Sequence, residues 1–141
     1  MKIYVINGPN LNLLGTREPE IYGKQTLEEI NNELVKLFPE CEFVFFQSNC
    51  EGAIIDKLHE ARGSDGVVLN AGALTHYSYA ISDAVSAIGV PVIEMHISDI
   101  YAREEFRRKS VLEPVCFDSV YGKGVSGYRV SIEILIREAK K

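Results

Sequence analysis

The sequence predicts an α/β fold: a doubly wound, five-stranded parallel sheet in the order 2-1-3-4-5, with helices on both faces. Three observations predict it. Short apolar runs alternate with segments of helical periodicity along the chain. Five such runs are separated by helical patterns, which requires crossovers and so a parallel sheet. The length of 141 residues suits one domain, and such a chain buries about two-thirds of its unfolded surface.

The elements follow in order. The strands are Lys2–Asn7, Glu42–Gln47, Gly66–Asn70, Pro91–Glu94 and Pro114–Phe117. The first helix runs from Leu27 to Phe38. Thr26-Leu27-Glu28-Glu29 is a capping box, Ile30, Leu34 and Leu37 share a face, and Pro39 ends the helix. The second helix runs from Glu51 to Arg62 with Ile54, Ile55, Leu58 and Ala61 inward, and Gly63 closes it. The third runs from Tyr77 to Ile88, with Tyr77, Ala80, Ile81, Ala84, Val85 and Ile88 as its core stripe. A short helix follows Tyr101, and a last helix ends the chain with Val130, Ile134 and Leu135 inward. No internal repeat, low-complexity tract or linker interrupts this plan, so residues 1–141 read as a single domain of flavodoxin-like type.

Composition narrows the class. Apolar residues make up 46% and charged residues 25%, the balance of a soluble globule. No apolar run reaches the roughly 18 residues of a membrane span, and Met1-Lys2 opens straight into a strand, so no signal peptide is expected. Cys41, Cys50 and Cys116 are odd in number and lack CxxC spacing, which points to reduced thiols in the cytoplasm. The net charge of −5 argues against nucleic acid. An anionic substrate then needs concentrated positive charge, and Arg103, Arg107, Arg108 and Lys109 supply it.

The chemistry concentrates after the strands. Asn7 to Gly23 is a long connection carrying Asn10, Asn12, Arg17, Glu18, Glu20 and Tyr22 at a strand mouth, where open parallel sheets bind ligands. Gly15 and Gly23 bracket a segment able to act as a lid. The segments Asn70–His76 and Glu94–Ser98 should converge on the same crevice. His76 and Asp83 are seven residues apart and share a face of the third helix, beside its apolar stripe. That face holds either a cap and a solvated carboxylate, or groups aimed at a ligand or a neighbouring subunit. Glu94 and His96 lie two apart at a strand end and point to one side of the sheet. A carboxylate beside an imidazole fixes its tautomer and favours its charged form, which suits a general acid. Arg103 and Arg107 form a like-charge pair that a bound carboxylate would relieve, though Glu104 and Glu105 offer a solvated alternative. Gly122 to Gly127 fits GxGxxG, but too little chain follows for the ribose-binding acid, so it reads as a tight turn. Free tyrosine is a poor base at neutral pH, but a nearby guanidinium favours the phenolate. A tyrosinate base, a histidine acid, amide donors and an arginine clamp fit proton abstraction beside a ketone with loss of water.

At these residues the chain resembles the type II 3-dehydroquinate dehydratases. The resemblance covers almost the whole chain: Asn7–Gly23, Gln47–Gly52, Asn70–His76, Glu94–Ser98 and Arg103–Arg107, in the correct order. It implies a metal-free, cofactor-free lyase that converts 3-dehydroquinate to 3-dehydroshikimate in the shikimate pathway. By motif, Tyr22 would be the base, Arg17 its activator, Asn10 a holder of the enolate through a water, and His96, backed by Glu94, the acid. Asn70, His76, Ile97, Ser98 and Arg107 would bind substrate. The family assembles as a dodecamer of four trimers, and Asp83 would reach a neighbour's site. Asp99 and Lys109 depart from the family's usual asparagine and histidine beside the site. Two other readings stay open. A flavodoxin-like FMN binder would need a first loop rich in Ser, Thr and Gly. A scaffold on the same fold would have no use for Tyr22, Arg17 and His96 together.

Overall fold

The computed structural model describes residues 1–141. Its sheet is β1 (Lys2–Asn7), β2 (Glu42–Gln47), β3 (Gly66–Asn70), β4 (Val92–Met95) and β5 (Asp118–Val120). All pairings are parallel and the order is β2-β1-β3-β4-β5, as expected. The helices are α1 (Pro19–Tyr22), α2 (Leu27–Leu37), α3 (Glu51–Glu60), α4 (Tyr79–Ala87) and α5 (Ser126–Ala139).

Alternation along β1 splits the core in two. Ile3 and Val5 face one apolar cluster with Ile30 and Leu34 of α2 and Tyr128, Ile132 and Leu135 of α5. Tyr4 and Ile6 face the other, with Ile54 and Leu58 of α3 and Ile81, Ala84 and Val85 of α4. The sheet is therefore covered on both sides, as a parallel sheet requires. Thr26 caps α2 through the reciprocal capping box, its hydroxyl accepting from Glu29 N while the Glu29 carboxylate accepts from Thr26 N.

Several expectations are corrected. The last strand lies at Asp118–Val120, not Pro114–Phe117, because Pro114, which has no N–H, sits instead in a 3₁₀ turn, Glu113–Val115. The third helix starts at Tyr79, where the Ser78 hydroxyl accepts from Ile81 N. His76 consequently lies in the preceding 3₁₀ turn, Gly72–His76, so it shares no helical face with Asp83. Tyr77 and Ala80 are exposed rather than inward. On α2, Phe38 is buried while Leu37 is exposed. On α3, Ile55 is only half-buried. On α5 the buried stripe is Tyr128, Ser131, Ile132 and Leu135, with Val130 and Ile134 at its margin. The segment after Tyr101 forms two 3₁₀ turns, Ile100–Ala102 and Glu105–Arg108, in place of one helix.

The long connection after β1 is pinned at its start. Gly8 N donates to Asn70 O at 2.7 Å, and a Cβ at Gly8 would lie 2.6 Å from Ala71 O, so only glycine allows this approach. Gln47 Nε2 donates to Gly8 O, and Asn10 N donates to Asn49 Oδ1. Leu11, Leu14 and Tyr22 anchor the rest in the core. A Cβ at Gly15 would lie 3.1 Å from Lys24 O, so the two ends of the segment Gly15–Gly23 lie side by side.

Candidate active site

Registering β1 against β3 and β3 against β4 brings their carboxyl ends together. The crevice there has about 490 Å³ of empty space, part of it open to solvent. Asn10, Arg17 and Tyr22 line it from the first connection, Asn70 from the end of β3, His76 from the turn after it, and His96, Ile97, Ser98 and Arg107 from the segment after β4. Glu94 lies behind His96 rather than in the crevice.

Tyr22 is buried, and its hydroxyl oxygen accepts from two guanidinium groups, Arg17 Nη2 at 3.1 Å and Arg103 Nη1 at 2.8 Å. The Arg17 guanidinium also lies 4.3 Å from the Tyr22 ring centre. Two positive charges at one oxygen stabilise negative charge there. Sequence reasoning offered Arg103 a carboxylate clamp or a solvated helix face, and no contact with Tyr22. Its bond to Tyr22 spans 81 positions, which no local pattern signals. Arg107 pairs through Nε with Glu104 at 2.9 Å, so Glu104 relieves this pair and not Arg108.

His96 Nε2 meets Glu94 Oε2 at 2.8 Å, and both side chains are buried. Burial pushes the Glu94 carboxyl up, but the hydrogen bond and charge of His96, with bonds from Ser110 and Thr75, outweigh it and hold the carboxyl down at about 2. An ionised Glu94 accepts a hydrogen bond from His96 Nε2–H, so Nδ1 is the ring nitrogen left for a ligand. The backbone N–H of His96 is spent on Val120 O.

The amides of Ile97 and Ser98 are different: neither has a backbone or side-chain acceptor, while their carbonyls accept from Gly124 N and Gly122 N at 3.1 Å each. The glycine-rich turn therefore does more than lead into α5. Gly122 and Gly124 take positive φ (74° and 62°) to reach those carbonyls. Two free N–H groups at the crevice floor suit a carboxylate.

Asn70 is oriented from beneath. Its Nδ2 donates to Tyr128 Oη at 3.0 Å, its Oδ1 accepts from Gly72 N, and Tyr128 Oη donates to Asn7 Oδ1. Tyr128 carries no motif and was missed. His76 Nδ1 donates to Lys109 O at 2.7 Å, which leaves Nε2 as an acceptor, and burial holds the ring's pKa below its usual value. Asp99 caps the turn at Tyr101 N, and Lys109 Nζ reaches Tyr79 Oη. Asp83 is exposed on α4 and does not line the crevice of its own chain. No group of three or more His, Cys, Asp or Glu side chains is placed to hold a metal ion.

Comparison with known proteins places the whole chain. The family model described as dehydroquinase class II matches residues 1–136. A 3-dehydroquinate dehydratase of Pelodictyon phaeoclathratiforme is 56% identical over 139 residues, covering 96% of this chain and 92% of that protein. The crystal structure of a type II dehydroquinase from Butyrivibrio crossotus superposes with a TM-score of 0.94 at 50% identity, covering 96% of this chain and 97% of that one. That of the type II dehydroquinase from Propionibacterium acnes gives 0.92 at 37% identity, with 96% of each chain covered. With the family model matching residues 1–136 and relatives of 56% and 50% identity covering nearly the whole chain, this chain belongs to the class II dehydroquinase family.

Proposed function

We propose that this crevice removes water from 3-dehydroquinate to give 3-dehydroshikimate, a step of the shikimate pathway, with Tyr22 as base and His96 as acid. The observation that carries the reading is the Tyr22 hydroxyl held between Arg17 and Arg103 in the crevice that His96 also lines. The tyrosinate takes the proton beside the ketone, and the electron pair moves into an enolate. The Asn10 side chain lines the crevice and makes no hydrogen bond within the chain, so it is available to hold the enolate through a water. Nδ1 of the His96 imidazolium gives its proton to the departing hydroxyl, and water leaves. The Ile97 and Ser98 amides take the substrate carboxylate, with Arg107 beside them, while Asn70 and His76 hold its hydroxyls. No cofactor takes part.

Residues 1–141 act as a single catalytic domain in the cytoplasm; no helix is long and apolar enough to cross a membrane. The assembly is a homododecamer, a tetramer of trimers, in which Asp83 completes a neighbour's crevice. Its exposure on α4 supports this, as does the open mouth at His76, where Tyr77 and Phe106 are 61% and 60% exposed.

Ultraviolet absorbance of the conjugated product tests the reaction. Chelator-treated protein should form product from 3-dehydroquinate and Tyr22→Phe should form little; a folded, inactive wild type would overturn the assignment. Light scattering tests the assembly. A dodecamer mass with Asp83→Ala raising KM is expected, and a fully active monomer would exclude it.

A further inference from the structure

Glu94 is unusually well served for one buried carboxylate. Its Oε2 accepts from Thr75 Oγ1 at 2.5 Å, Ser110 Oγ at 2.6 Å and His96 Nε2 at 2.8 Å, and its Oε1 accepts from Ser119 Oγ at 3.1 Å. Thr75 precedes His76 after β3, Ser110 closes the segment that bears Arg103 and Arg107, and Ser119 lies on β5. Three elements thus meet on one side chain of β4. Thr75 and Ser110 also approach each other at 3.1 Å, but each has one hydroxyl proton and each spends it on Glu94, so that contact carries none. The Ser110 oxygen in turn accepts from Leu112 N and Glu113 N, which aims its proton at the carboxylate.

A simple structural account would need fewer donors. A buried carboxylate paired with an imidazolium is already neutralised, and two hydrogen bonds would satisfy it. Each hydroxyl added to the anion weakens the pull of Glu94 on the shared proton and keeps that proton on His96. With Glu94 ionised and the Nε2 proton kept on the ring, a second proton on Nδ1 makes an imidazolium that can donate it, whereas transfer of the Nε2 proton to Glu94 would leave a neutral ring, a far weaker acid.

We propose that Thr75, Ser110 and Ser119 are positioning residues that cage Glu94 as a carboxylate and so set the acid strength of His96. The inference rests on His96 being the acid. The other titratable groups near enough to feel the Glu94 charge are His76 after β3, Tyr101 after β4 and Cys116 before β5; Arg107 in turn faces His76. None of these donates a hydrogen bond to Glu94.

The test is the pH profile of kcat for Thr75→Val, Thr75→Ser, Ser110→Ala, Ser119→Ala and, as a control, His96→Asn. Removal of one hydroxyl should lower kcat about tenfold with KM within about twofold. It should also move the alkaline limb of kcat upward, because a carboxylate with fewer donors holds the shared proton harder. Thr75→Ser, which keeps the hydroxyl, should restore the wild-type profile. Nitrogen NMR of the histidine rings should show the same upward shift without substrate, so a variant with damaged kinetics still reports. Ser110→Ala also loses the bonds to Leu112 and Glu113; should it not fold, Thr75→Val and Ser119→Ala decide. Folded variants with an unmoved alkaline limb and wild-type ring titration would overturn the cage, even if kcat fell. An active His96→Asn would instead overturn the assignment of the acid.

Discussion

Tyr22 illustrates how a single residue's role depends on distant chain. Its motif neighbours, Arg17 above all, were legible because they lie within one loop of the sequence. Arg103 was not, because only the β2-β1-β3-β4-β5 order brings residue 103 to residue 22. Arg103→Gln should therefore lower kcat by about 10²-fold, the usual loss for one preorganised charge donor, and raise KM much less. Steady-state kinetics decide it, and an effect confined to KM would return Arg103 to a substrate clamp. Tyr128 was illegible for another reason: a buried tyrosine on a helical stripe looks like core. Its hydroxyl joins Asn7 to Asn70. Tyr128→Phe takes the donor from Asn7 Oδ1 and leaves Asn70 Nδ2 only the Met95 sulfur, and should cost about 2 kcal/mol in urea unfolding. KM should rise as well, since Asn70 loses its orientation; an unchanged KM would make Tyr128 purely structural.

At the scale of elements, strong local chemistry was readable and weak local chemistry was not. The capping box at Thr26 predicted the start of α2 to the residue. Thr26→Ala should lower stability by about 1 kcal/mol, measurable as a lower urea midpoint with unchanged slope. By contrast, Arg103 to Lys109 has charge but no apolar stripe, and its turns are set by contacts: Glu104 to Arg107, Arg108 to the Arg103 carbonyl, and Lys109 O to His76. Helical periodicity had nothing to grip there. The fifth strand slipped four residues along the chain because apolar Val115 and Phe117 resemble a strand, while pairing with β4 begins at Asp118. The same pairing places Ser119 beside Glu94, so the register error concealed one of the hydrogen-bond donors to Glu94.

For the molecule as a whole, sequence period was enough for the sheet order, and the site's position followed from it. The acid sensitivity of the fold was not readable, because it depends on burial. Glu94 is held at about 2 against an ordinary 4.5, so its stabilisation is complete above about 4.5 and is lost as pH falls toward 2. That difference corresponds to roughly 3 kcal/mol. His76, held below its ordinary value by burial, adds to the same trend: the unfolded chain takes up its proton first as pH drops below the ordinary 6.5. The urea midpoint should therefore fall between pH 6 and pH 3, and Glu94→Gln should flatten the lower part of that curve; a flat wild-type profile would contradict the Glu94 assignment. Arg17 and Tyr22 both lie between Gly15 and Gly23, whose ends sit side by side, whereas Arg103 stands on the far wall. Any displacement of this segment must undock Tyr22 from the core and would carry Arg17 with it, away from Arg103. The seat of Tyr22 thus works as an interlock: the complete charge cradle exists only while that side chain is docked. Amides 16–22 should exchange with deuterium as one block, slowed together by a bound substrate analogue, while Gly8 and Asn10 exchange with the sheet.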